Sequence, residues 1–390
     1  MKRGIATFTL DYGRCPRWLF ERMVKLGREM SRVLVEEYGS DEYIKRLADP
    51  VWFQSLGTVL AFDWNASGLT TILTAALKEA IRGQEKDLGI FICGGKGKTS
   101  RKTPDDILNW GERLGLPQSD TENLIYNSRM SAKVDSSLVQ DGFQIYHHSF
   151  MFSVQPNSNK ISSWTVVQQG MNQQNRSARR YHWYSQDVND LVVEPHSAIS
   201  SQLSVDQVLD MTSKKSDKTR DVSTELVGGS YKTLMSDIKV LREHSSGLSR
   251  MIALRRKQEE LVLLELADVE FKYHPVAGED FSKSKYLEKI LGKLSYEKPE
   301  TYEDLLATEG VGPKTIRALA LVSEVIYGAK PSYEDPARYS FAHGGKDATP
   351  YPVDRPTYDQ TINILQRSVR KSKISPLEKD KALRRLSLSL

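Results

Sequence analysis

The stretch LLATEGVGPKTIRALALV, Leu305 to Val322, constrains this chain more tightly than any other. Two short apolar-periodic runs meet across Gly-Val-Gly, which leaves room only for a tight turn between two helices. The spacing predicts a first helix running to Glu309, a left-handed cap at Gly310, and a second helix opened by Gly312 and Pro313. Leu305, Leu306, Ile316 and Leu319 then pack the helices together. Around Gly310, Val311 and Gly312 the missing side chains let a phosphate approach the backbone. The free N–H groups and positive dipole end of the second helix, beside Lys314 and Thr315, supply donors and charge. Such a turn holds one phosphate without reading bases.

Whole-chain charge does not establish a nucleic-acid partner, because 55 Lys and Arg against 50 Asp and Glu leave only +5. The cations are clustered, however. KGKTSRK holds Lys96, Lys98, Arg101 and Lys102; RSARRYHW holds Arg176, Arg179 and Arg180; and RSVRKSK follows from Arg367. Solvated faces account for many such runs, but three of them beside the hairpin favour polyanion binding. Two cysteines, Cys15 and Cys93, are too few for a disulfide framework, a four-thiolate zinc site or an iron-sulfur cluster, and they fit a reducing cytoplasm. The start MKRGIATFTLDYGRCPRW has no apolar signal core, and no later run is long enough to span a bilayer, so neither secretion nor a membrane partner is expected.

At 390 residues, two domains are expected. PRWLFERMVKLGREM carries Trp18, Leu19, Met23 and Leu26 at helical spacing, as a core stripe, and SGLTTILTAALKEAIRG reads as a second helix. LGIFIC ends at glycines like a buried strand, and GFQIYHHSFMFSV with SSWTVVQQG reads as a β-hairpin around QPNSNK. MTSKKSDKTRDVSTELVGGS is polar and without periodicity, as a linker is. Tyr231 to Lys272 and Lys283 to Lys293 look helical, and Thr301 with Asp304 caps the helix that leads into the hairpin. The expected class is α+β, with a mixed α/β domain over 1–205, a linker over 206–230 and an all-α, helix-hairpin-helix domain over 231–390.

Within the first domain, GGKGKTSRK ends like a nucleotide-binding P-loop, but Ile92 stands where its first glycine belongs, so an NTPase is rejected. A glycine-rich cationic loop after a strand still suits a nucleic-acid phosphate. His147, His148, His182 and His196, with Asp63, Asp135 and Asp141 available, could assemble a divalent-metal site for phosphodiester hydrolysis; structural histidines are the plainer reading. RRYHWY alternates cations and aromatics as a single-strand groove does, with Tyr181, Trp183 and Tyr184 able to stack bases.

The hairpin resembles the helix-hairpin-helix of many DNA repair and replication proteins, which implies DNA binding. Further on, PVDRPT places Asp354 where it can cap a helix. A hairpin lysine followed by Val-Asp at a helix start resembles DNA glycosylases of the endonuclease III type. That resemblance implies that Lys314 attacks the sugar's anomeric carbon while Asp354 activates it. An amine near a helix start in a desolvated cleft does lose basicity and become nucleophilic. The segment between the two residues is longer than in that family, and the frequent four-cysteine cluster is missing. Across nearly its whole length, through PRWLFERM, GGKGKTSRKTP, DGFQIYHH, VVQQGMN, RRYHW, EPH and SFAHGGKDATPYPVDR, the chain is similar to a prokaryotic, largely archaeal family known only as a domain of unknown function. That family usually carries His and Ser where this chain has Asn65 and Ala66.

Three functions follow as expectations, all with duplex DNA, including damaged or unpaired bases, as partner. The first is a glycosylase/lyase working through Lys314 and Asp354 without a cofactor. The second is a metal-dependent nuclease centred on the histidine runs, with the hairpin as anchor. The third is a DNA-binding protein without catalysis.

Overall fold

The computed structural model describes residues 15–60, 66–155, 159–202, 204–244, 284–337 and 355–388. Its first layer is α1 (Arg17–Ala48), α2 (Pro50–Val59) and α3 (Ala66–Ala80). Asp49 caps α2 by accepting from Val51 and Trp52 N–H, with Pro50 preorganised at the first helical position. Met23 and Leu26 are buried as the stripe predicts, but Trp18, at 60% exposure, is not part of the core. After the short α4 (Glu85–Leu88) come β1 (Ile90–Lys96), a 3-10 turn over Gly97–Lys102, α5 (Thr103–Leu114), α6 (Gln118–Ser137) and β2 (Val139–Gln140). The expected β-hairpin forms as β3 (Gln144–Val154) and β4 (Ile161–Asn172), and the meander continues through β5 (Ser177–Tyr184) and β6 (Ala198–Ser201). These strands make one antiparallel sheet of order β1-β3-β4-β5-β6.

The segment 206–230 is not a structureless linker. It contains β7 (Leu209–Asp210), which pairs with β2, and α7 (Asp217–Gly228). Helicity was hidden there because the buried side of α7 includes Thr219, Arg220 and Ser223 beside Leu226 and Val227, so hydrophobic periodicity is weak. Helices α8 (Tyr231–His244), α9 (Lys285–Glu297), α10 (Tyr302–Ala307) and α11 (Pro313–Val325) follow, then α12 (Arg355–Lys371) and α13 (Pro376–Leu388).

Both faces of the sheet are covered. Ile90, Ile92, Met151 and Val167 face a core built with α1 to α3, α12 and α13. Phe91, Phe150, Phe152, Val166 and Trp183 face a second core with α5 to α11. Antiparallel sheets with one wet face alternate polar and apolar residues, whereas here β5 is buried at every position. The class is therefore α+β. The expected partition at 206–230 crosses a continuous core, since residues of β1, β3 and α6 pack in one cluster with those of α7 to α11.

Candidate functional site

The hairpin folds from local signals. Thr301 caps α10 by accepting from Asp304 N–H at 3.0 Å, and its hydroxyl donates to the Asp304 carboxylate at 2.6 Å. The helix ends at Ala307, two residues before the expected Glu309. Gly310 has φ +93°, and a Cβ there would stand 2.4 Å from Cδ1 of Ile290, so backbone conformation and packing both require glycine. Gly312 is the N-cap of α11, with Pro313 at the first helical position and no atom within 4 Å of where a Cβ would lie. Lys314 is exposed and Thr315 is buried beside it.

Side chains from three other elements hold the turn's carbonyls. Lys133 of α6 donates from Nζ to the carbonyls of Leu306 (2.5 Å), Ala307 (3.2 Å) and Thr308 (2.7 Å). Lys293 of α9 donates to Glu309 O at 3.2 Å, Tyr286 to Gly310 O at 3.0 Å, and Gln140 of β2 to Pro313 O at 2.9 Å. Burial and the neighbouring Lys293 charge pull the Lys133 ammonium down to about 8.

Asp354 and Asp63 lie outside the described residues, so the pairing of Lys314 with Asp354 is neither made nor excluded by the geometry. Lys96 ends β1, and the exposed 3-10 turn after it carries Lys98, Arg101 and Lys102, with the Lys96 ammonium 5.8 Å from the Tyr146 ring. On α12, part of the RSVRKSK charge is taken up by Glu37, which pairs with Lys371 and lies 4.0 Å from Arg367.

The RRYHWY run corrects its sequence reading. Arg179, Arg180, Tyr181, His182 and Trp183 are each 0% exposed, so none offers a cation or a ring to nucleic acid at the surface. Successive residues of β5 point to opposite faces of a sheet covered on both. Arg179 pairs with Asp141 at 2.9 Å and Asp335 at 2.7 Å, and it stacks over Phe143. Burial opposes its charge, but these carboxylates raise its pKa above the ordinary arginine value. Arg180, on the other face, lies over Phe53 within reach of Gln54 and Thr70, and burial lowers it to about 9.

The proposed metal ligands do not converge, for the same geometric reason. His147 meets Thr74 of α3, and His182 packs edge-on against Phe53 of α2. His148 and His196 lie on the opposite face, bonded to Ser128 and Asp135 of α6, while Asp141 is taken by Arg179 and Tyr181. Burial drives His147 down to about 3 and His148 to about 4, so both are neutral at physiological pH. Among the described residues no group of three or more His, Cys, Asp or Glu is placed to hold a metal ion.

What these residues build is a relay through the core. Ser128 bonds His148, His148 bonds Gln168 at 2.9 Å, Gln168 donates to Asp135, and His196 pairs with Asp135 at 2.5 Å. Trp183 also donates to Asp135. His196 reaches a cleft of about 340 Å³ lined in part by Glu194, Asp210, Thr212 and Asp335. Lys133, Gln168 and Asp335 carried no sequence signal, since their partners lie far along the chain.

A model of the family described as Protein of unknown function (DUF763) matches residues 4–353. No curated protein and no solved structure matches the chain.

Proposed function

The chain belongs to the family described as Protein of unknown function (DUF763), and from its own geometry we propose that it binds duplex DNA through the sugar-phosphate backbone, gripping one phosphate at the α10–α11 hairpin. The observation that carries this reading is the opening at Gly312. A Cβ built on Gly312 would meet nothing within 4 Å, Lys314 is exposed beside it, and the first turn of α11 has N–H groups without an acceptor inside the helix. Lys96, Lys98, Arg101 and Lys102 are further phosphate contacts in this reading. Lys314 acts as a phosphate cation, because its exposure does not provide the desolvated setting that a nucleophilic amine needs.

Fluorescence anisotropy on labelled duplexes over a series of salt concentrations tests the proposal. Lys314→Ala is expected to weaken binding equally across sequences and to lower the salt slope by about 1. Gly312→Val, for which there is free space, is expected to abolish hairpin binding at a loss of no more than about 1 kcal/mol of stability from the poorer N-cap. Unaltered affinity in both variants would overturn the reading. A borohydride-trapped adduct on abasic duplex that disappears in Lys314→Ala would instead give Lys314 the nucleophilic role.

A further inference from the structure

The carbonyls of the hairpin are held almost as completely as a helix interior holds its own. Those of residues 306 to 310 and of Pro313 all accept from side chains of α6, α9 and β2. Three of these six belong to a single group, the Lys133 ammonium, which closes the C-terminal end of α10. The last carbonyls of a helix have no partner within it, and a six-residue helix such as α10 has few internal bonds to resist fraying. Lys133 supplies what α10 lacks.

Held through its carbonyls by α6, α9 and β2, the turn keeps Gly312, with open space around it, next to the exposed Lys314. Gln140 ties Pro313 O to the same wall, and Arg317 Nε holds Gln140 at 2.5 Å, so both ends of the turn are anchored to the stretch from α6 into β2. Lys133 lies only two residues from Asp135, which is locked to His196 and Trp183 beneath the helix. The stretch is therefore a fixed platform.

We propose that Lys133 is a positioning residue for DNA binding: it preforms the hairpin's phosphate site by capturing the 306–308 carbonyls and touches no phosphate itself. The inference rests on the DNA-binding reading above and names the residue that reading depends on. Preorganisation contributes affinity by removing an ordering cost that binding otherwise incurs.

Three variants of the full chain decide it: Lys133→Met, Lys133→Arg and Lys314→Ala, each measured for duplex affinity over a salt series and for amide hydrogen exchange at residues 306–315. Lys133→Met is expected to raise Kd about tenfold with the salt slope unchanged, because no counterion release is lost. It is also expected to speed exchange across 306–312. Lys133→Arg, which restores donors to the carbonyls, is expected to recover most of the affinity and protection. Lys314→Ala is expected to show the reverse pattern, a lower slope with exchange unchanged. The proposal is overturned if Lys133→Met lowers the slope as Lys314→Ala does, since Lys133 then contacts phosphate, or if Kd and exchange both stay at wild-type values. Should the wild-type chain not bind DNA, the functional reading fails, and the exchange measurement still tests the Lys133 cap by itself.

Discussion

Arg179→Met is expected to destabilise the protein by about 3–5 kcal/mol, because it strands two carboxylates in the interior. Asp141 is fully buried and Asp335 nearly so, and both meet the one guanidinium. Tyr181 donates to Asp141 at 2.6 Å, and the N–H groups of Val205 and Ala337 hold Asp335 at 2.7 and 2.9 Å. These donors do not neutralise the charge that methionine would leave behind. The loss is a large share of the roughly 5–15 kcal/mol typical of a folded domain. Urea unfolding of the variant measures it directly, and adding Asp335→Asn should recover part of the loss. A decrease below about 1 kcal/mol would mean that water reaches the carboxylates and that the burial described above is wrong.

The second large effect is acid sensitivity. In the unfolded chain His147 and His148 take up protons near pH 6.5, whereas burial holds them at about 3 and about 4 in the fold. Between those values the unfolded state binds more protons, so stability is full above pH 6.5 and falls as the pH drops toward 4. At pH 4.5 the two groups together remove roughly 5 kcal/mol. Asp135 and Asp141 act with the opposite sign, since burial raises both carboxyls and favours the folded state as they protonate. His182, fully buried, is also held well below its ordinary value and adds a third share of the same sign. His147→Gln isolates one share: its stability should fall by about a third less than that of wild type between pH 7 and pH 4.5. Parallel pH profiles for the two proteins would remove His147 from the account.

What could be read in the sequence was local. The Thr301 cap, the turn at Gly310 and the Pro313 helix start each depend on residues within a few positions, and each is found where the pattern puts it. The β3–β4 hairpin was legible because its turn-formers separate two β-rich runs. Nothing local marks Lys133, whose three carbonyl partners are 173 to 175 positions away. RRYHWY misled for a different reason: alternating cations and aromatics look like a surface groove unless carboxylates and helices elsewhere in the chain are known to enclose them. The histidine set had a warning within it, since adjacent His147 and His148 on a strand must point to opposite faces. That period alone argues against a shared metal.

The helices that complete the first core come last. Arg385 of α13 donates to Val59 O at 2.9 Å, and the backbone of Lys373 binds Glu29 at 3.0 Å, contacts that span 326 and 344 residues. Without α12 and α13, part of the apolar surface of α1 to α3 and of the sheet face beneath them is left uncovered. Contacts so distant along the chain carry a high loop-closure cost, so the first core is expected to close late in folding.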